Sequence, residues 1–550
     1  MDESILSGHL IDIHTRKIFA GEMRLLDGKI ADIRSVNHSV PQRFILPGFI
    51  DAHIHIESSI LVPAEFARLA VGHGTVATVS DPHEIANVMG IPGVDYMINN
   101  GNQVPLKFYF GTPSCVPATP FETAGAEINV DDVASLLRRP EIAYLSEMMN
   151  WPGVLDRDPY VMAKIQAALE AGKVVDGHAP GLKGKEAFRY ASAGISTDHE
   201  CFSLEEALDK LEAGMKIIIR EGSAARNFDA LIPLMAKHAS RLMFCSDDKH
   251  PDELIIGHIN ELVSRAVSLG YDLFDVLRAA CFNPVDHYGL DVGMLRPGDP
   301  GDFIVVDDLK SFKVISTFID GKKVFDNGNV LFSRPKTHVI NRFECEPVRA
   351  DMIQVKKPGD QIRIIVAEDG QLMTKSTVEN LERDESGHLL SNTKKDVLKI
   401  VVVNRYQPME PSVAYIRGFG LQSGALASTV AHDSHNIIAV GVDDDSIVKA
   451  VNELIEEKGG ICAVGAQEIC CLPLPVAGLM STEKGDWVAG QYKIIDGLAK
   501  KMGSTLSAPF MTLSFMALLV IPELKLSDKG LFDGQRFQFV NLIKNSTPIC

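Results

Sequence analysis

His53 and His55 stand two residues apart in the stretch PGFIDAHIHIE. In an extended strand, residues i and i+2 share a face, so two imidazoles project side by side and make half of a metal site. Further along, single residues of metal-ligand type close short β-rich runs: Glu147 after AYLS, His178 after VVDG, His199 after ISTD and Asp247 after MFCS. Six ligands exceed the three protein ligands that a catalytic zinc keeps. A pair of divalent ions accounts for all six, with Glu147 shared, His53, His55 and Asp247 on one ion, and His178 and His199 on the other. This mixture of imidazole and carboxylate suits Zn, Mn or Fe(II) alike. Water between two such ions loses a proton near neutral pH and becomes a hydroxide nucleophile. Asp247, a carboxylate at the metal, is the group expected to take that proton and pass it on.

Three further motifs carry polar residues. DPHE places Asp81, His83 and Glu84 after the second run. It reads as a helix start, with Glu84 three residues after Asp81 in a capping-box-like pattern, or as a proton carrier beside the metals supplied by Asp81 or Glu84. REGSAARN brings Arg226 and Asn227, expected either as hydrogen-bonding partners of a substrate ring or as part of a small-residue helix start. AHDSHN, with His432, Asp433 and His435, lies far downstream. It reads as a polar loop, a further metal site or a cover for the pocket. The chain has His55-x-Glu57 but no P-C-x-x-C, so it is not a zinc nucleobase deaminase of that design. It also lacks a Walker-type phosphate loop.

The elements that must position these residues repeat. Eight β-rich runs end at His55, Asp81, Ser114, Glu147, His178, His199, Glu221 and Asp247, each followed by a helix-compatible stretch. Strands alternating with helices imply parallel strands with crossover connections. Eight such units in roughly 200–250 residues predict an α/β fold, a (β/α)8 TIM-like barrel whose strand ends converge on one pocket. Short strand-like pieces precede it, with Asp27-Gly28 as a hairpin signal. Further β-pieces follow it at Phe303–Val306, Val314–Ile319 and Lys322–Phe325. The expectation is a small β-sandwich domain built from both flanks (1–46 with 290–345), the barrel over 47–289, and a C-terminal α+β domain over 346–550.

Composition bounds the partners. The 550 residues are 46% hydrophobic, 23% charged and 7% aromatic, ordinary for globular domains. Lys and Arg number 54 against 72 Asp and Glu, a net charge of −18. That balance argues against nucleic acid or an anionic membrane as partner, since both demand clustered positive charge. Nine irregularly spaced cysteines with no C-x-x-C favour a reducing compartment. No signal-peptide pattern opens the chain, and the longest apolar stretch, near 508–521, is too short to span a bilayer. A cytoplasmic protein is expected.

PGFIDAHIH, with the later His, His and Asp strand ends, resembles the metal-dependent amidohydrolase superfamily. DPHEIANVMG, LSEMMNWPGV, DGHAPGLKGKE, IREGSAARN, GALASTVAHDSHNI and LPLPVAGLMS are similar to its adenine deaminase branch, and the likeness runs nearly the whole chain. The fourth strand has no Lys to bridge the metals, and the resemblance implies that Glu147 does so. It further implies two divalent ions, manganese first, in a binuclear centre. The implied reaction is hydrolytic deamination of adenine to hypoxanthine and ammonia by metal-bound hydroxide attacking C6, in purine salvage; as an acidic barrel enzyme, the chain is expected to work as a homo-oligomer (dimer). The alternative is another amidohydrolase reaction, on a cyclic amide, a ureide or an N-acyl group.

Overall fold

The computed structural model describes residues 3–356, 359 and 361–544. Four strands come first: β1 (Glu3–Asp12), β2 (Lys17–Leu26), β3 (Lys29–Ser35) and β4 (Phe44–Pro47). The Asp27-Gly28 turn joins β2 to β3 with both residues at positive φ, 48° and 83°. That is the geometry a two-residue hairpin demands and Asp-Gly tolerates.

The next eight strands are β5 (Phe49–Ile54), β6 (Thr75–Ser80), β7 (Lys107–Thr112), β8 (Ile142–Met148), β9 (Val175–Gly177), β10 (Thr197–Asp198), β11 (Lys216–Arg220) and β12 (Leu242–Cys245). They are the eight runs expected from sequence. β5 to β9 pair in order as one parallel sheet, and β10 to β12 as another. Parallel bridges lie at both junctions, Val175 with Ile195 and Ile54 with Asp247. At the second, the Asp247 amide donates to the His53 carbonyl at 3.0 Å. Strands covered on both faces need apolar residues without alternation, and every residue of TVATVS in β6 is buried. Ala52, Ile218, Met243 and Cys245 form a small apolar cluster of their own, drawn from β5, β11 and β12. A far larger core lies between the strands and the helices.

Both flanks contribute to one sheet. β13 (Phe303–Val306), β14 (Val314–Ile319), β15 (Lys322–Asp326) and β16 (Asn329–Val330) join the first four in the order β16-β15-β14-β13-β4-β1-β2-β3. The expectation of a two-sheet sandwich is corrected here: the strands hydrogen-bond as a single sheet. It closes back on itself, the Ile30 amide donating to Asp299 O and the Gly301 amide to Gly28 O, both at 2.9 Å. The fold-over encloses Leu10, Met23, Leu25, Ile45, Phe303 and Phe318, so one curled sheet does the burying that a sandwich would do.

The C-terminal region forms a second eight-stranded sheet. Its strands are β17 (Gln361–Val366), β18 (Lys375–Asn380), β19 (Leu398–Val403), β20 (Ser412–Arg417), β21 (Ala425–Ser428), β22 (Ile437–Gly441), β23 (Gly460–Val464) and β24 (Ile469–Pro473). Their order is β18-β17-β20-β19-β22-β21-β23-β24. The helix Asp444–Glu456 begins on an Asp443 cap that accepts the Ser446 amide and buries Ile447, Val451 and Leu454 against this sheet. Cys462 and Cys471 face each other on β23 and β24 and are joined as a disulfide, a pair that the cysteine spacing does not announce. The apolar run near 508–521 holds the short buried helix Pro509–Phe515. Among the described residues, no helix is long and apolar enough to cross a membrane.

Candidate functional site

The six expected ligands lie together at the C-terminal ends of their strands, and all are buried. His55 Nε2 is 3.2 Å from His53 Nε2 and 3.2 Å from Asp247 Oδ1. Glu147 divides its oxygens between two groups. Oε1 lies 3.5 Å from His55 Nε2, while Oε2 lies 2.8 Å from His178 Nδ1 and 3.1 Å from His199 Nε2. The His53 and His199 rings stack with centroids 4.0 Å apart. Donor atoms fall into overlapping clusters, among them His53–His55–Asp247, His53–Glu147–His199 and His55–Asp81–His83–Glu147, each within 4.8 Å.

Local backbone explains the convergence. The β5–β6 register shifts between Asp51 and Ile54, just where the two histidines leave the strand. Asp51 ties the adjoining ends: its carboxylate accepts the Ser246 amide at 3.0 Å, the Ser246 hydroxyl at 2.5 Å and His258 Nε2 at 2.8 Å. Asp247 itself sits at φ 51°, a left-handed conformation that Asp and Asn adopt more readily than other non-glycine residues.

Charge fits a cation. Burial opposes ionisation of Glu147, but His178 and His199 outweigh it and hold the carboxyl well below the ordinary range. Asp247 behaves alike under Arg220 and His55. Burial, aided by His199 and His55, pushes His53 well below its usual value, keeping it in the neutral form that ligates metal. Against burial, Glu147 raises His199 to about 9, a sign of negative charge in excess of what the imidazoles balance.

Residues not singled out from sequence complete the site. Arg220, 2% exposed, donates to Asp247 Oδ2 at 2.5 Å and grips both Glu200 oxygens. Glu200 Oε1 stands 3.6 Å from His199 Nε2 and 3.7 Å from His178 Nδ1. Sequence parity could have found Arg220: Ile218 belongs to the small cluster with Ala52 and Met243, so Arg220, two residues on, shares its side of β11. Glu221, the run's nominal end, instead pairs with Arg265 at 3.0 Å. Replacing Arg220 by Met would leave Glu200 and Asp247 as uncompensated buried carboxylates, a loss of about 3–5 kcal/mol. Chemical denaturation with turnover on the same samples checks this; unchanged stability would show that the pair is not held by Arg220.

The remaining expectations divide. The capping box does not form, because the helix His83–Met89 has no side-chain cap at its start. Asp81 instead accepts the His83 amide and ring nitrogen, both at 3.1 Å. Glu84 lines the pocket, clasped by His432 Nδ1 and His435 Nε2. Arg226 and Asn227 do not line the pocket. Arg226 pairs with Glu253 at 2.6 Å. Asn227 is spent on protein groups, accepting the Arg220 amide at 2.7 Å and donating to His199 O at 2.9 Å. The AHDSHN stretch lies over the pocket: His432 and Asp433 line the cavity with Leu372, Phe515 and Leu518, facing His55, Glu147, His178, His199 and Asp247, while His432 and His435 also converge with Glu84 as a group of metal-ligand type.

Two family models match the chain, the amidohydrolase family over residues 44–324 and the adenine deaminase C-terminal domain over residues 371–538. The chain is 56% identical to the adenine deaminase of Salinibacter ruber over 538 residues, 98% of each chain. It is 51% identical to that of Methanosarcina mazei over 548 residues, covering 97% of this chain and 98% of that one. Among solved structures, a β-aspartyl dipeptidase from Fervidobacterium islandicum aligns with 60% of this chain and 99% of its own, at 15% identity and a TM-score of 0.45. With both models in tandem and relatives of this identity over nearly its full length, the chain belongs to the adenine deaminase family of amidohydrolases.

Proposed function

We infer that this protein hydrolyses adenine to hypoxanthine and ammonia at the cluster of His53, His55, Glu147, His178, His199 and Asp247. The single observation that carries the reading is the split of Glu147, one oxygen toward His55 and the other toward His178 and His199. A carboxylate so placed suits a bridge between two cations. His53, His55 and Asp247 would hold one ion, His178 and His199 the other, and manganese is the metal proposed. When bound, the ions would supply a water acidic enough to act as nucleophile near neutral pH. Within this reading, β5 to β12 form a closed (β/α)8 barrel over 47–289, with 1–46 and 290–345 as the flanking β domain and 346–550 as the C-terminal domain. The two junction bridges support the closure.

The chain's own groups carry the protons. Arg220 occupies Asp247 Oδ2, which leaves Oδ1, beside His55 and His53, to accept the proton from the water as it adds to C6. As the oxygen adds, the C6–N1 π pair moves onto N1; the accepted proton then passes to the exocyclic amine, the N1 pair re-forms the C6–N1 double bond as the C6–N6 bond breaks, and ammonia leaves with the hydroxyl kept on C6 as the hydroxy tautomer of hypoxanthine. Met149, Leu372, Phe515 and Leu518 offer apolar surface to a flat base and exclude water, which strengthens the charge interactions inside. Purified protein assayed for ammonia release from adenine and from a panel of cyclic amides, with metal content measured on the same sample, tests the reading. Adenine turnover proportional to bound metal is expected. Turnover of a cyclic amide alone would replace it.

A further inference from the structure

The loop from Ala431 to Asn436 leaves the C-terminal sheet and lines the pocket beside His83. It is held there firmly. His435 Nδ1 accepts the Ala431 amide at 3.3 Å, so its proton sits on Nε2, which donates to Glu84 Oε2. With His432 it clasps Glu84, and this buried group ties the loop to the helix His83–Met89. Asn436 adds two further ties, donating to Thr123 O at 2.9 Å and accepting the Arg405 amide at 3.1 Å. His435 adopts φ 54° within this frame.

What the anchored loop presents is Asp433. It is 4% exposed and lines the pocket. Its Oδ2 has no hydrogen-bond partner, and its nearest charged neighbour is His83, with Nε2 3.6 Å from Oδ1. The His83 ring stands between Asp433 and Glu147, its Nδ1 being 3.6 Å from Glu147 Oε1. A flat base bound with C6 at the ligand cluster and its imidazole edge toward this loop would meet Asp433. Free adenine carries one N–H on its five-membered ring at that edge; a base substituted there carries none. A buried acceptor left unpaired costs about 1–3 kcal/mol, and sites built to bond a substrate N–H reject analogues that lack it.

Resting on the adenine reading above, we propose that Asp433 accepts the imidazole N–H of the free base and so selects it against ring-N-substituted purines. The C-terminal domain, through this loop, is then a specificity element of the active site.

The test compares kcat/KM for adenine and 9-methyladenine in the wild type, Asp433→Ala and the near-isosteric Asp433→Asn, with metal content measured throughout. The expected result is a wild-type preference for adenine of at least 100-fold. In the variants that preference narrows at least tenfold, through a raised KM for adenine with kcat changed less than threefold and metal content unaltered, while 9-methyladenine stays within about twofold of wild type. Should the Ala variant not fold, the Asn variant gives the same reading. An unchanged preference, or an equal fall in kcat for both bases, overturns the proposal while leaving adenine turnover standing. A metal-replete wild type that leaves adenine untouched overturns the functional reading and this inference with it.

Discussion

Glu147→Ala is expected to lose most of its bound metal and at least about a thousandfold in turnover, more than a single hydrogen-bond donor at a reaction centre is worth. The carboxylate reaches both imidazole groups, His55 on one side and His178 with His199 on the other. Its removal leaves those buried imidazoles without the carboxylate that both groups face. Elemental analysis after metal-replete expression, paired with ammonia release, reads both effects together. Glu147→Gln separates them, since the amide keeps the size and one acceptor oxygen but cannot bridge as an anion. Full metal content and near-normal turnover in either variant would remove Glu147 from the centre.

Asp247→Asn should lower turnover by on the order of 10²–10⁴, the range for losing a positioned general base, with a smaller loss of metal. Three features place this carboxylate under constraint. Its backbone is in the left-handed region at φ 51°, its amide is fixed to His53 O, and Arg220 grips Oδ2. Asn tolerates that backbone well, so the variant should fold, and the deficit can be assigned to the lost negative charge. Arg220 then faces a neutral amide while keeping Glu200, so the stability cost should be less than that of Arg220→Met. An Asp247→Asn protein with full metal and near-full turnover would take the proton-accepting role away from this residue.

The strand periodicity was legible because buried parallel strands carry a signal that survives in one dimension. A run such as TVATVS has one use in a globular chain, and the polar residue that closes it marks the end that faces water or a ligand. All eight runs became strands, and their terminal residues of ligand type came together. The flank pieces were equally plain, since Asp27-Gly28 names its own turn. Less visible was how those flank strands bury their apolar side. Alternation says that one face is covered; a second sheet and the same sheet folded over meet that need equally well.

DPHE and REGSAARN show where local rules fail. Asp81 and Glu84 have the spacing of a capping box, but Glu84 has a stronger offer from His432 and His435, about 350 residues away in sequence. Two imidazoles in a dry pocket outweigh one backbone amide. Arg226 looked suited to a purine, yet Glu253 takes it at the surface, whereas Arg220, six positions earlier, points inward.

By itself, then, the order of residues determined the eight strands from β5 to β12, the chemistry waiting at their ends and the family to which the chain belongs, because periodicity and ligand type are local properties. Only the tertiary structure decided which carboxylate pairs with which basic group, and that the His432–His435 loop lies over the strand-end residues. Those choices depend on competition between distant partners for the same buried oxygens, and such competition has no trace along the chain until the chain is folded.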